Sequence, residues 1–517
     1  MNRTVAALLR SRVIAAGAAC AAVVGGAVLA GCAVGPDFHR PAAPAGDAYY
    51  RPDAGSAGTA DSAGTAGMPG TPSSSPGETP AQSLKPGAEL RGEWWHLFKS
   101  PSLDQTLELA ISGSPTLAQA TATLAQAREQ ARAAEGAFFP RINGSATQER
   151  SGSSSAALGG PSRGAQYTLG VSASYALDVF GGTRRSVEQQ RAIAQLQRYQ
   201  LSAAYLTLTG NVVSKALSIA SARLQIATTE ELIADDRRNL ALTQREFELG
   251  AVPRTDVLTA ESQLAQELTS LPTLRQQLGV ARDALAVLVG RSPADWPAPD
   301  FDIAEFTLPA EVPVSFPAAL ARQRPDILAA ESQLHAATAA VGVSIAQEFP
   351  SLTLSGSLSR GALTASGLFH DFNSAWSTGG ALAASLFEGG ALRAQARASR
   401  DALAAQAASY QQVVLEALGQ VADDLRSLDN DSARVSASRH ALDVANEALR
   451  LQRTSYAAGK STILQLIDAE RSYAQARLGL ASAQIQQYGD TAGLLVALGG
   501  CWWNAPLGGV PAGAVSQ

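Results

Sequence analysis

Apolar residues fall at every seventh position from Tyr205: Tyr205, Val212, Ile219, Ile226, Ile233, Leu240 and Phe247. The same comb recurs 209 residues later as Val414, Val421, Leu428, Val435, Leu442, Leu449 and Tyr456. Seven-residue apolar spacing is the seam of a coiled coil, so each run reads as one very long helix. A straight helix of ~65 residues would span ~97 Å at ~1.5 Å per residue. That length suits a device that bridges a distance better than a compact core.

The two combs belong to a tandem duplication. Phe139-Pro140 and Phe349-Pro350 lie 210 residues apart, as do Pro115 and Pro325. Gly181-Gly182 pairs with Gly389-Gly390 at an offset of 208, and Gly250 pairs with Gly459 at 209. One unit copied once gives such nearly constant offsets, and the unit is far larger than a solenoid repeat. The first repeat is read as residues 93–300 and the second as 301–499, followed by a tail, 500–517. Within the first, a helical segment (about 102–136) leads to the Phe-Pro pair, then a hairpin (140–180), the Gly-Gly turn, the long helix and a shorter returning helix (about 255–289). The second hairpin is read as 350–388. Gly250 and Gly459 suit the left-handed cap that ends a helix.

The hairpins show period-two alternation. In Tyr167–Val179, Tyr167, Leu169, Val171, Ala173, Tyr175, Leu177 and Val179 share a face opposite Thr168, Gly170, Ser172 and Ser174. In Ser351–Ser359, Leu352, Leu354 and Leu358 oppose five serines or threonines. About 9–11 residues of apolar and polar alternation is the pattern of a transmembrane β-strand. Arg141–Thr147 and Trp376–Phe387 read as the other two strands, and 148–165 and 360–375 as connecting loops. Four strands cannot close a barrel, and an open edge in lipid leaves backbone groups unsatisfied. Either the strands form an ordinary soluble sheet, or several chains pool them.

The N-terminus carries an address. Arg3, Arg10 and Arg12 precede the apolar run Val13–Leu29, so residues 1–31 read as a signal peptide. Leu29-Ala30-Gly31-Cys32 looks like a lipobox, with cleavage leaving Cys32 as a lipidated first residue. Segment 32–92 would follow as a lipidated stretch whose Gly/Ser/Pro-rich part (53–85) is a flexible tether. Removing 1–31 leaves 37 Lys+Arg against 45 Asp+Glu, a balance of −8 that argues against a nucleic-acid partner. Of three cysteines, Cys20 leaves with the signal and Cys32 is acylated, so Cys501 has no disulfide partner within the chain. No catalytic constellation is visible. The five histidines (His39, His96, His335, His370, His440) lack metal-ligand spacing, and no phosphate-binding loop occurs, so neither an enzyme nor a cofactor is expected. Asp423-Asp424 is the one adjacent carboxylate pair in the second long helix and reads as a solvated surface.

Cys32-Ala33-Val34-Gly35-Pro36-Asp37-Phe38-His39-Arg40-Pro41 resembles the start of NodT/OprM-type outer-membrane efflux lipoproteins, relatives of TolC. Trp94-Trp95, Phe98, Arg324-Pro325-Asp326-Ile327, Leu386-Phe387-Glu388-Gly389-Gly390 and Leu498-Gly499-Gly500 add to the resemblance along nearly the whole mature chain. Two departures are the long 53–85 stretch and Cys501, which stands where a third glycine is common. The resemblance implies an α+β membrane protein and a homotrimer. Three chains would pool four strands each into a 12-stranded outer-membrane β-barrel, with the long helices forming a periplasmic α-barrel tunnel. Its expected partners are a periplasmic adaptor, a proton-driven inner-membrane pump and outer-membrane lipid. The expected function is a passive exit duct for drugs or other small toxic compounds. The same duct serving protein or peptide secretion, and a non-conducting coiled-coil envelope scaffold, remain open.

The resemblance also marks a periplasmic gate. Leu464, Asp468 and Arg471 fall at i, i+4 and i+7 of one helix face. Leu464 would make an apolar constriction and Asp468 a ring of carboxylates, with Tyr456 and Arg471 bracing neighbouring helices. Gln465 stands where some relatives carry a second acid. The turns Leu249-Gly250-Ala251 and Ala458-Gly459-Lys460 are the expected adaptor contacts.

Overall fold

The computed structural model describes residues 33–44, 48–49, 82–88, 93–155, 160–370, 373–500 and 502. The signal peptide, Cys32, most of the tether, Cys501 and the tail beyond 502 lie outside these residues.

The chain begins with strand β1 (Ser83–Pro86) and a 3-10 turn, Trp94–Phe98. Helices α1 (Pro101–Gly113) and α2 (Pro115–Glu135) precede strands β2 (Arg141–Ser155) and β3 (Gly160–Leu177). Next come α3 (Gly182–Glu248) and α4 (Arg254–Val289). The second repeat opens with β4 (Glu311–Val314), α5 (Pro317–Gln323) and α6 (Pro325–Ala346). It continues through β5 (Ser351–Ala362), the short α7 (Gly367–His370) and β6 (Asn373–Ala383), and ends in α8 (Ala391–Ala457) and α9 (Ile463–Ala497).

The long helices are equal, at 67 residues each, and α4 and α9 have 36 and 35. The segment expected as one helix over 102–136 is two helices. Ser114 takes an extended backbone (φ −66°, ψ 120°) because Pro115 follows it. Arg324 before Pro325 does the same in the second repeat.

Two compact units result. The first comprises residues up to 41, 123–197 and 330–410. It holds an antiparallel sheet in the order β2-β3-β5-β6, so the pairing of β3 with β5 joins the two repeats. The strands run well into the segments expected to be loops: β2 pairs with β3 as far as Ser155↔Gly160. Ladder hydrogen bonds come from backbone, so serine and glycine sustain them without an apolar face. At the other end Trp376–Phe387 is trimmed, since β6 stops at Ala383.

Pairing aligns the alternation across all four strands. Val171 lies opposite Gly144 and Leu358, and Leu358 opposite Trp376. Leu354 lies opposite Tyr175 and Gly380. One face therefore carries Ile142, Leu169, Val171, Leu354, Leu358, Trp376 and Leu382, all exposed. The other carries serines and threonines, with Ser357 and Ser377 hydroxyls 2.9 Å apart. Among the described residues the outer edges of β2 and β6 have no strand partner.

Against this sheet's unit lies the segment that follows Cys32. Val34 N–H donates to the Phe180 carbonyl (3.1 Å). The Phe38 ring stacks on His335 at 4.3 Å, and Arg40 grips Glu331 at 2.8 Å. Arg185 reaches Asp37 at 2.6 Å and Glu188 at 2.8 Å. Its hydrogen bond and charge hold the Asp37 carboxyl below the usual carboxylate range. Gly35 has φ 94°, and a Cβ there would lie 2.5 Å from the Gly342 Cα, so position 35 needs glycine for the chain to lie this close.

The second unit comprises 42–122, 198–329 and 411–517. Its largest buried side chains include Trp94, Trp95, Phe98 and Phe301. Trp95 packs on Tyr205 of α3 (6.3 Å) and Phe98 on Tyr488 of α9 (6.2 Å). Trp502 donates its indole N–H to the Gln323 carbonyl at 2.7 Å. The end of the stretch expected to be a tether is instead strand: β1 pairs in parallel with β4, Ser83 opposite Glu311. Among the described residues no helix is long and apolar enough to cross a membrane.

Candidate functional site

The turns α3–α4 and α8–α9 come together at one end of the second unit. Each long helix closes with the same left-handed glycine cap. Ala251 N–H donates to the Glu246 carbonyl (2.8 Å) and Gly250 N–H to that of Phe247 (2.9 Å). In the second repeat Lys460 bonds Ser455 and Gly459 bonds Tyr456, both at 2.9 Å. Gly250 and Gly459 have φ of 73° and 68°, the conformation this cap demands. Leu249 projects with 78% of its surface exposed, and Ala251, Ala458 and Lys460 are exposed beside it.

Beneath the turns lies an apolar cluster of Ala260, Leu449, Ile463, Leu466 and Ile467, flanked by Leu240, Tyr456, Leu464, Ala469 and Tyr473. All four helices contribute. Tyr456 ties α8 to α3 by donating its hydroxyl to Glu246 at 2.7 Å. Burial first, then that hydrogen bond and the charge of Glu246, push the tyrosine up to about 12.

The five gate candidates divide. Leu464 is half-buried against the cluster, and Asp468 is exposed one turn further along α9. Arg471 forms no ion pair with Asp468 among the described residues; its charge acts on Asp236 of α3. Gln465 has another duty. Its side chain accepts from Thr462 N–H (3.1 Å), and its own N–H donates to the Thr462 hydroxyl (3.4 Å). This capping box starts α9, and its Thr-x-x-Gln spacing was readable in the sequence.

Sequence reasoning missed the buried polar groups behind the gate face. Glu470 of α9 is buried and accepts hydrogen bonds from Asn239 of α3 (2.7 Å) and Arg453 of α8 (3.2 Å). Asp236 is buried with one carboxylate oxygen unpartnered. Burial, then the charges of Glu267 and Glu470, raise it to about 6, against the pull of Arg471. Spacing along one helix carries no record of partners on two others, so no one-dimensional pattern marks this set. Further along α8, Asp423 is exposed as expected but Asp424 turns inward, because successive helix residues point about 100° apart. Burial first, then Asp490 and Asp423, raise Asp424 to about 6. Among the described residues no three potential ligands gather as a metal site would require.

A family model described as "Outer membrane efflux protein" matches residues 106–291 and 317–500, one match per repeat and well over half the chain. Nodulation protein T of Rhizobium leguminosarum bv. trifolii is 29% identical over 428 residues, covering 80% of this chain and 90% of that protein. The pyoverdine export outer membrane protein OpmQ of Pseudomonas aeruginosa is 29% identical over 421 residues, covering 79% and 87%. Among solved structures, the outer-membrane channel OprN superposes with a TM-score of 0.78 at 26% identity, covering 91% of this chain and 100% of that one. The open-state MtrE outer membrane channel of Neisseria gonorrhoeae gives 0.74 at 25% identity, covering 90% and 98%. The duplicated helices, the four-stranded sheet and the matching of both repeats agree: the chain belongs to the outer membrane efflux protein family, whose members are channels of the outer membrane.

Proposed function

We propose that three copies of this chain form the outer-membrane exit duct of a tripartite pump that expels drugs or other small toxic compounds. The observation that carries the proposal is the sheet. It has a continuous apolar face and, among the described residues, two outer edges without partners. Lipid offers no hydrogen bonds to such edges, so they must pair with other chains. Three sheets of four strands would make a barrel of twelve. Cys32 would carry the lipid anchor, and the docking of Ala33 beside Gly181 would hold that anchor near the strands of the first unit. The Leu249–Ala251 and Ala458–Lys460 turns would meet a periplasmic adaptor, and an inner-membrane, proton-driven transporter would supply the energy and choose the cargo. Leu464 and Asp468 would form the closing constriction, braced by Tyr456, with Asp468 selecting cations. No cofactor is required beyond the lipid on Cys32, and the channel reading assigns the chain no catalysis. The export roles printed in the names of its relatives support a small-molecule cargo.

Growth of a deletion strain on a panel of antibiotics, dyes and detergents, with assay of secreted proteins in parallel, tests this reading. The expected outcome is sensitisation to small amphiphiles, restored by the wild-type gene. Unchanged sensitivity with a missing secreted protein would replace it with a secretion duct. No change in either would favour the envelope scaffold.

A further inference from the structure

Two residues apart on a helix means ~200° around its axis. Glu470 therefore points away from Asp468, and at six residues' spacing it also lies ~120° around the axis from Leu464. It is buried, yet it is a carboxylate, and its two oxygens are taken by two different helices. Asn239 of α3 donates to one at 2.7 Å and Arg453 of α8 to the other at 3.2 Å. Arg453 also stands 3.9 Å from Asp235 of α3. Asn239 is itself buried, with 5% of its surface exposed. A hydrogen bond between a buried amide and a carboxylate is charge-assisted, short and intolerant of losing a partner. α9 cannot turn about its axis or lean away from α3 and α8 without breaking both bonds.

We propose that Glu470 is a positioning residue of the channel: by tying α9 to α3 and α8 from behind, it fixes the rotation of α9 and so holds the Leu464–Asp468 face in its closed position. The proposal rests on the gate reading of that face. Opening would then require the Asn239–Glu470–Arg453 tie to break or exchange partners, and a nearby charge offers an alternative. Arg453 can pass to Asp235, which it already approaches at 3.9 Å.

The test uses the full-length lipidated protein, purified in its assembled form and inserted in planar lipid bilayers. Passive conductance is read for wild type, Glu470→Gln, Arg453→Met, Asn239→Asp and Asp468→Ala. Arg453 is exposed over half its side chain, so Arg453→Met removes one donor without emptying the core. Loss of one charge-assisted bond from a two-state latch should raise the open population roughly tenfold. Glu470→Gln and Arg453→Met are therefore expected to conduct about that much more than wild type. Asn239→Asp is isosteric and faces Glu470 with a second negative charge. It should leak at pH 7.5 and reseal near pH 5, when one carboxyl of the pair takes a proton. The groups around it are Asp235, Asp236, Glu267, Arg453 and Arg471, so wild type is measured at both pH values as the reference. A merely structural loss would not reseal on acidification.

If Asp468→Ala conducts more while the Glu470, Arg453 and Asn239 variants match wild type, the gate stands and the tie is overturned. If none differs from wild type, both readings fall. If the tie variants open and Asp468→Ala does not, Glu470 positions the helix but the constriction lies elsewhere on it.

Discussion

Asp431, in α8, is 96% buried and has a carboxylate oxygen without a partner. Burial pushes it up to about 7, aided by hydrogen bonding to Asp490 and by that residue's charge, against the pull of Arg434. Asp490 in turn accepts from Gln486 at 2.8 Å. A carboxyl raised in the folded chain keeps a proton that the unfolded chain has already lost. Its contribution to stability is complete below about pH 4 and disappears as pH rises through about 7. Asp431→Asn removes that dependence. Its melting temperature should exceed wild type by roughly 2 °C or more at pH 8 and differ little at pH 4. An equal shift at both pH values would mean that packing, not ionisation, is what changed. Nothing in the local sequence singles out Asp431, because its partner lies 59 positions away on another helix. Gly250 and Gly459, which act through their own neighbours along the chain, read as caps from the sequence; the Thr462/Gln465 box is equally local, but the sequence reading assigns Gln465 to the gate instead. Residues that act across helices, such as Glu470 and Asp236, carry no such local mark.

At the scale of elements the strands give the sharper test. Leu354 sits on the apolar face opposite Tyr175 and Gly380, and Ser355 on the polar face opposite Ser174 and Gly379. An arginine facing hydrocarbon costs about 2–4 kcal/mol at mid-depth, and one in an aqueous lumen costs little. Leu354→Arg should sharply reduce heat-stable assembled protein in outer-membrane fractions, and Ser355→Arg should leave it near the wild-type amount. Equal loss from both would mean that the faces are assigned the wrong way or that neither meets lipid. The sequence marked these faces correctly because alternation is a local property. It marked strand ends poorly, since 148–155 and 160–165 are ladder residues without apolar alternation. The long helices were legible to within a few residues, as their seam repeats for seven heptads and their ends carry glycine. The break at Ser114-Pro115 is written in the proline, but the helical pattern of the residues on either side runs straight across it. The β1–β4 pair escaped because four residues of mixed composition, 228 positions apart, carry no periodic signal.

For the whole molecule, the proposed barrel closes only if the edges of β2 and β6, unpaired among the described residues, meet so that one chain's β2 pairs with the next chain's β6. This is a head-to-tail contact, which closes into a ring when the rotation fits. With Cys501 replaced by serine, single cysteines placed at facing positions of the two edges should yield a crosslinked ladder that stops at three chains. A ladder ending at two, or running past three, would exclude the trimer. The seam between β3 and β5 has the same character as that edge-to-edge contact, since it too joins a hairpin of one repeat to a hairpin of the other. Before duplication, contacts of this kind would all have been encounters between separate molecules, and a ring of twelve strands would have needed six of them. Fusing the repeats makes every second meeting intramolecular, governed by an effective concentration rather than by the sparse supply of partners in a membrane. Assembly is left with three searches in place of six.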